Sequence, residues 1–508
     1  MNDTLRALLP WILVGGGALA TLLLLCAARV HGAVAAGAAA SVALAVVSLP
    51  AAVRAPPDAA GPLLAVDGFT VYFAGLLLLA TLAVIWLAHG YLERLAEQRE
   101  EFYPVLLLGT LGAMTLAASR HLAALFLGLE LLSVALFVLA AYLRDRRTSL
   151  EAGFKYLVLA SVSSAFLVLA IALLYAATGT LDVPSIAAAL PGVDAAERAL
   201  AVAGLALLLV AAGFKLALVP FHLWAPDVYE GAPAPAAAYL ASVSKAAMLA
   251  VVVRLFLLVR DPPADAALYV VGSLAVASML AGNLLALLET RIKRLLAYSS
   301  IAHLGYAVLA LLASGPAAAQ AAAFYMTAYV ATVLAAFGVV AVLEPETGDA
   351  PTIDAYRGLL WRRPLLATIL MAAMLSLAGI PLTAGFVGKF LLLAAGVEAE
   401  LWIPVFALVL GSAIGAFYYL RVVVALFSRS DAAEPAHAHV PTEAPLSETT
   451  AAPRLQLEHG RLGNALPMPR IPLGASLVLG VLVLVVVWLG TWPAPLLRLI
   501  ESSLRAGT

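Results

Sequence analysis

The chain is poor in charge and almost without cysteine. Of its 508 residues only 12% are charged and 64% are apolar, whereas a soluble domain is about a quarter charged and about half apolar. A globule of this size could not hide so much apolar surface from water, so a soluble fold is excluded and the class is integral membrane. The single cysteine, Cys26, sits in an apolar run. That excludes a disulfide framework and a cysteine-held iron–sulfur or zinc site. The net charge is -1 and no long basic tract is present, which leaves nothing to hold nucleic acid. Glycine-rich phosphate loops, haem motifs and nucleophile motifs are missing as well. The chain therefore brings no redox or nucleotide chemistry of its own, and no metal site is expected.

What the chain does have is long apolar runs. Windows of about 20 apolar residues mark spanning helices. About 14 are expected, near 9–28, 31–49, 68–90, 103–119, 121–142, 154–178, 198–219, 235–259, 266–288, 295–314, 318–343, 365–395, 402–428 and 471–490. The fold class is all-α. The first window is longer than a signal-peptide core and lacks a small-residue cleavage site, so it reads as a retained helix. Residues 429–470, rich in Pro, Ala, Glu and His, read as a solvated or surface-lying linker. The "AHAH" within it supplies too few ligands for a metal.

Lys and Arg in short loops set orientation. The loops after odd-numbered helices hold Arg94, Arg99, Arg144, Arg146, Arg147, Arg291, Lys293, Arg294, Arg357, Arg362 and Arg363. The other loops hold Arg54, Arg120, Arg198 and Arg260. The odd side is expected to be cytoplasmic, with both termini outside. A weak internal echo is also present. "GFKLALVPF" in helix 7 and "AGIPLTAGFVGKF" in helix 12 are each broken by proline and bear one lysine. Paired broken spans point to an inverted-repeat transporter with its site near mid-membrane, although two segments this short also match by chance. The expected division is 1–102 (helices 1–3), 103–260 (helices 4–8), 261–428 (helices 9–13), the 429–470 linker, and 471–508 (helix 14 and tail).

Ionisable residues inside spans carry the functional information, because each must face a partner or a wet cavity. They are Glu130 in helix 5, Lys155 opening helix 6, Lys215 in helix 7, Lys245 in helix 8, His303 in helix 10 and Lys389 in helix 12. Lys155 is close enough to a helix end to snorkel to the interface, and His303 also reads as a structural hydrogen-bonded histidine. Static ion pairs cannot explain the rest, since Lys215, Lys245 and Lys389 face one glutamate. The alternative is protonation. Burial disfavours charged lysine and a nearby carboxylate restores it, so a Glu130–Lys215 pair that opens and closes would change the lysine's hold on its proton. Lysine suits this role because, unlike arginine, it can lose its charge. The broken helices would line a hydrated path with freed carbonyls. The segment "PFHLWAPDVYEGAPAP" follows Lys215. There Asp227 and Glu230 lie near Pro226, Pro233 and Pro235, which favour extended or turning backbone. His222 reads either as part of a cytoplasmic proton entrance, with Asp227 and Glu230, or as a cap for the second half of helix 7.

At this point three stretches together resemble a known family. "PFHLWAPDVYEGAPAP", "TRIKRLLAYSSIAHLGY" and "GIPLTAGFVGKF" are similar to the antiporter-like membrane subunits of respiratory complex I. The resemblance covers helices 1 to 14 and is strongest from 120 to 425; "WAPDVYEGAP" and "SSIAHLGY" look like the N-type branch of bacterial NADH–quinone oxidoreductases. It implies 14 helices with two inverted five-helix repeats, helices 4–8 and 9–13, and broken helices 7 and 12. It implies that Glu130 and Lys215 form the coupling pair, that Lys245 and His303 lie on the central relay, and that Lys389 serves the outer exit, with Lys155 of less certain role. NADH, flavin (FMN), iron–sulfur clusters and quinone would sit in partner subunits. The partners would be antiporter-like M- and L-type subunits, small A-, J- and K-type subunits and the peripheral redox arm, in a prokaryotic inner (plasma) membrane. The 429–470 insertion departs from the family pattern and leaves the region before helix 14 open. "GIPLTAGF", where many members have two prolines, is a milder change. The competing readings are an Mrp-type cation/proton antiporter subunit, the same subunit in a ferredoxin- or F420-linked relative of complex I, and a non-pumping scaffold.

Overall fold

The computed structural model describes residues 2–95, 99–258, 264–313, 315–344, 351–428 and 472–505; the 429–470 linker lies outside them. Three helices lead, α1 (Asp3–Ala27), α2 (His31–Val53) and α3 (Gly68–Leu92). The next group is α4 (Phe102–Ala117), α5 (Leu122–Ala140), α6 (Arg147–Thr178), the short α7 (Val183–Ala189), α8 (Ala195–Leu216), α9 (Trp224–Gly231), α10 (Ala234–Tyr239) and α11 (Lys245–Leu258). A π-helical turn, Leu240–Ser244, joins α10 to α11. Then come α12 (Ala264–Leu288), α13 (Ile292–Ala313), α14 (Gly315–Leu343), the one-turn α15 (Leu359–Arg362), α16 (Pro364–Ala378), α17 (Ala384–Glu398) and α18 (Trp402–Phe427). The chain closes with α19 (Leu473–Thr491) and α20 (Ala494–Arg505).

Among the described residues twelve helices are long and apolar enough to cross a membrane, fewer than the fourteen windows expected. The window at 103–119 forms α4, of 16 residues; at about 1.5 Å per residue it spans about 24 Å, short of a hydrocarbon core of about 30 Å. The window at 365–395 is split into α16 and α17, 15 residues each. The expected start of helix 6 also moves: α6 begins at Arg147, so Lys155 lies two turns inside it rather than at its opening.

The central and peripheral helices separate by burial. The windows in Ala234–Phe256, α13 and α14 are 94% buried, those in α6 and α19 only 22%. Lys245 and His303 are therefore on central helices.

Two stretches, α4 to α11 and α12 to α18, repeat one construction. A Cβ at Gly112 would lie 2.6 Å from Leu132 N and 2.9 Å from Gly128 O; one at Gly282 would lie 2.7 Å from Ala302 N and 2.8 Å from Tyr298 O. Each contact recurs 170 residues later (112 to 282, 132 to 302, 128 to 298). Small residues let helix backbones touch in this way. The loop bonds follow the same step. Leu122 N donates to Leu181 O and Val183 N to Arg120 O, while Ile292 N donates to Pro351 O and Ile353 N to Thr290 O. The paired bridges are His121 with Asp182 and Arg291 with Thr352.

Candidate functional site

Helix ends build the first half of the site. At the end of α8, Ala217 takes a left-handed conformation (φ 58°), and Leu218 N turns back to Gly213 O at 2.8 Å. The helix stops there, and Val219 N is satisfied by Ser278 Oγ of α12 at 2.9 Å. Lys215 lies in this last turn, buried at 2% exposure. Its ammonium donates to Ser133 Oγ at 2.9 Å and Tyr156 OH at 3.0 Å. Glu130 accepts a hydrogen bond from Ser164 of α6. Among the described residues the Glu130 carboxylate makes no direct ion pair with Lys215; the ammonium reaches Ser133, one turn along α5 from Glu130.

Lys245 follows the π-turn and is fully buried. Its ammonium donates to the main-chain oxygen of Lys215 at 2.9 Å and lies 4.8 Å from the Trp224 ring centroid. Trp224 stacks on Tyr156 (4.7 Å, 27°) and its Nε1 donates to Phe214 O at 3.0 Å. Lys245 thus caps the carbonyl end of α8, where a cation meets the negative helix end, inside an aromatic box.

The second break repeats this cap. Gly379 is left-handed (φ 83°), and Ile380 N turns back to Leu375 O at 3.0 Å. Positions 213, 217 and 218 at the first break correspond to 375, 379 and 380 at the second, a step of 162, which pairs Lys215 with Leu377. Lys389 donates to Leu377 O at 2.9 Å and Ala378 O at 3.1 Å, with its Nζ 5.3 Å from the Tyr306 ring centroid. An ammonium therefore sits on the equivalent carbonyl at each break.

Between the breaks lies a histidine among tyrosines. His303 Nε2 is 3.0 Å from Tyr419 OH and Nδ1 is 2.6 Å from Tyr325 OH. A neutral imidazole has one donor and one acceptor nitrogen, so one tyrosine donates to it and the other accepts. Tyr419 also bonds Ser299. Tyr329 donates to Ser300 Oγ at 2.7 Å, with its ring 5.5 Å from that of His303. Tyr229 is 3.5 Å from the same Ser300 and meets Trp224 edge-on at 6.5 Å. Polar and aromatic groups thus run from the Lys245 box to His303.

Lys155, Asp227 and Glu230 stand apart in a half-exposed charge network. Lys155 pairs with Asp227 at 2.7 Å and Glu151 at 2.6 Å; Arg294 joins Asp227 at 2.8 Å, Glu230 at 3.0 Å and Glu289 at 3.0 Å. Arg291 also binds Glu230. Burial raises the Asp227 carboxyl, but hydrogen bonds from Lys155 and Arg294 outweigh it and hold the group below its ordinary value. The backbone expectation for this segment needs correcting. Trp224–Gly231 is a helix with Pro226 in its first turn, where proline lacks no needed N–H. His222 caps that helix with its main-chain carbonyl, which accepts from Ala225 N at 2.9 Å. Its side chain is buried with Nδ1 unpartnered.

Several residues escaped the sequence reading. Lys293 and Glu344, both 1% exposed, form a buried ion pair, and it clamps the α9–α10 link: Lys293 Nζ donates to Ala232 O at 2.9 Å, and Ala234 N donates to Glu344 Oε2 at 3.2 Å. Arg254 makes a forked pair with Asp67 at 2.9 and 3.0 Å, fixing the start of α3 to α11. Ser133, Tyr156, Tyr306, Tyr325 and Tyr419 give only the signal of polar-tipped residues in apolar windows, and Trp224 gives none beyond its place in the segment after Lys215. Among the described residues, no three His, Cys, Asp or Glu side chains gather as a metal site.

Known proteins share this fold. The profile of the family described as NADH:quinone oxidoreductase/Mrp antiporter, TM, matches residues 119–415. The chain is 49% identical over 427 residues to a protein named NADH-quinone oxidoreductase subunit N from Chromohalobacter salexigens, covering 84% of this chain and 89% of that one. Among solved structures, a chain of respiratory complex I from Thermus thermophilus with bound aureothin superposes with a TM-score of 0.78 at 34% identity, covering 96% of this chain and 98% of that one. A chain of the Mrp complex from Dietzia sp. DQ12-45-1b has a TM-score of 0.82 at 22% identity, covering 98% of this chain and 97% of that one, and shares the fold. The multi-pass membrane chain described here belongs to the NADH:quinone oxidoreductase/Mrp antiporter transmembrane family.

Proposed function

We propose that the chain is the N-type membrane subunit of a proton-translocating NADH–quinone oxidoreductase. The observation that carries the mechanism is the buried polar run that links the two broken helices. Charge at Glu130 modulates Lys215; the proton passes by Lys245 and the Trp224–Tyr229–Ser300–Tyr329 groups to His303; Lys389 exchanges it with the far side. Each lysine needs a partner when charged and a mobile one when it is not. The hydroxyls of Ser133 and Tyr156 and the helix-end carbonyls supply such partners without fixing the proton permanently, as a carboxylate in contact would.

In this reading NADH, FMN, iron–sulfur clusters and quinone are bound by partner subunits, and the drive arrives through the membrane arm. The partners are M- and L-type antiporter-like subunits, the small A-, J- and K-type subunits and the peripheral redox arm. The residence is a prokaryotic plasma membrane, with the "RIKR" loop cytoplasmic and both termini outside. The segments proposed are 1–102, 103–260, 261–428, the 429–470 linker and 471–508.

The test is to tag the chain, purify it from its native membrane and reconstitute what comes with it. Flavin- and iron–sulfur-containing partners, with NADH-driven quinone reduction that acidifies one side of the vesicle, are expected. Sodium-dependent antiport from an assembly without flavin would refute the proposal in favour of an Mrp-type subunit. A ferredoxin- or F420-dependent input module in place of an NADH-oxidising one would leave the relay standing and reassign the complex.

A further inference from the structure

Asn283 of α12 is 1% exposed and has no counterpart in the relay just described. Its amide makes three hydrogen bonds. Nδ2 donates to Met279 O at 2.6 Å and to Tyr306 OH at 2.7 Å, and Oδ1 accepts from Tyr418 OH at 3.0 Å. Which end of an amide is nitrogen is often ambiguous. Here Met279 settles it, because a main-chain carbonyl only accepts, so the nitrogen must face it. The other senses follow. Tyr306 oxygen accepts from the amide, and its own proton points elsewhere. Tyr418 must donate, because an amide oxygen has only lone pairs to offer.

The site is built to hold this side chain. A Cβ at Gly411 of α18 would lie 2.8 Å from Asn283 Nδ2 and 2.8 Å from Tyr306 OH, and a Cβ at Gly415 would lie 3.1 Å from Oδ1. Its two tyrosines lead to opposite ends of the second half of the site. Tyr418 packs on Tyr419, the partner of His303, with centroids 4.3 Å apart. Tyr306 lies under the Lys389 ammonium.

We propose that Asn283 is a proton insulator. It is a positioning residue that holds Tyr418 and Tyr306 in a hydrogen-bonded file yet stops protons from passing along it. For a proton to cross, Oδ1 would have to gain one and Nδ2 lose one. A carboxamide resists both near neutral pH, whereas a carboxyl would do either. Tyr418, Asn283 and Tyr306 are continuous in hydrogen bonds and closed to protons, and ring contacts join this file to Tyr419 and Lys389. Exchange between His303 and Lys389 is then left to Tyr325, which bonds His303 Nδ1 and packs against α17 at Gly388, beside Lys389. A route through one tyrosine can be gated, and an open hydroxyl file cannot.

The inference rests on the relay reading, and the test separates the two. The intact complex is reconstituted in vesicles carrying a pH dye, with Asn283→Asp, Asn283→Leu, Tyr418→Phe and Lys389→Met. Under an imposed potential without NADH, Asn283→Asp is expected to raise passive proton flux several-fold over wild type, and Asn283→Leu is not. With NADH, Tyr418→Phe is expected to keep the ratio of pumped protons to electrons, since its file does not conduct. Equal passive flux in wild type and in both Asn283 variants overturns the insulator, as does a lost ratio in Tyr418→Phe, which also serves if Asn283→Asp does not assemble. Normal pumping by Lys389→Met would instead overturn the relay itself.

Discussion

Lys215→Met isolates titration from scaffolding. The ammonium's two hydrogen bonds, to Ser133 and Tyr156, are worth about 1.5–3 kcal/mol each to a charged donor. Against their loss stands relief from burying an ion, several kcal/mol in its own right. Ser133 keeps its bond to Leu129 O at 2.7 Å, so Tyr156 OH is the hydroxyl left to pair anew, at about 1–3 kcal/mol. Lys245 binds the main-chain oxygen of residue 215, which the substitution leaves in place. These terms nearly offset, so the variant should assemble with stability within a few kcal/mol of wild type, yet lose most of its proton pumping. Lys215→Arg sharpens the point: arginine keeps the charge and donors but does not release its proton, so it should pump no better. The assays are NADH-driven acidification in vesicles and thermal unfolding of the purified complex. Full pumping by either variant would refute proton exchange at Lys215, and loss of pumping only in step with loss of assembly would refute the separation argued here.

Three further outcomes follow from particular contacts. Gly112→Ala and Gly282→Ala push a methyl to within 2.6–2.7 Å of the facing helix backbone; each should cost about 1–3 kcal/mol as overpacking, read as a lowered unfolding temperature, and an unchanged temperature would mean the crossings are loose. Lys293→Met leaves Glu344 buried and unpaired, at about 3–5 kcal/mol, and Lys293→Met with Glu344→Leu should recover much of that; equal stability of single and double variants would contradict a working ion pair. Asp227 has its carboxyl held below its ordinary value of 3.8, so its contribution to folding is complete above that value and fades as pH falls through the lower, folded-state value. Asp227→Asn should flatten acid unfolding in that window, and an unaltered acid profile would remove Asp227 from the account.

Much of this was legible in the sequence because hydrocarbon is an unforgiving solvent. A charge inside an apolar window has few innocent explanations, so Lys215, Lys245, His303 and Lys389 stood out without any structure. The spans show through for the same reason, except that α4 is short and the 365–395 window is broken. What stayed hidden was pairing across helices. Tyr156, Trp224, Tyr325 and Tyr419 look like packing aromatics until the partners of their polar tips are known. Lys293 reads as a loop charge and Glu344 gives no signal at its span end, and only the fold buries them together. The "WAPDVYEG" segment misleads because its prolines point to extended or turning backbone, whereas proline in the first turn of a helix is harmless.

The echo between the two broken spans changes meaning most. By sequence, Lys215 and Lys389 seem to be counterparts, one lysine beside each proline. By hydrogen bonds they are not. The residue equivalent to Lys215 is Leu377, and the ammonium equivalent to that of Lys389, by the carbonyl it caps, belongs to Lys245. The shared device is therefore a helix ended by a left-handed residue, with a lysine on its exposed carbonyl. A cation so placed is stabilised by the helix end rather than by a carboxylate, and it can shed its proton without stranding a buried negative charge. Lys215 is the addition peculiar to the first unit. It hangs from the very residue whose carbonyl Lys245 caps, and its side chain looks toward Glu130's helix. One residue thus joins the two contacts: Lys215 reaches Ser133 of α5 with its ammonium and accepts the Lys245 cap on its carbonyl, whereas Leu377 in the second unit carries only the cap.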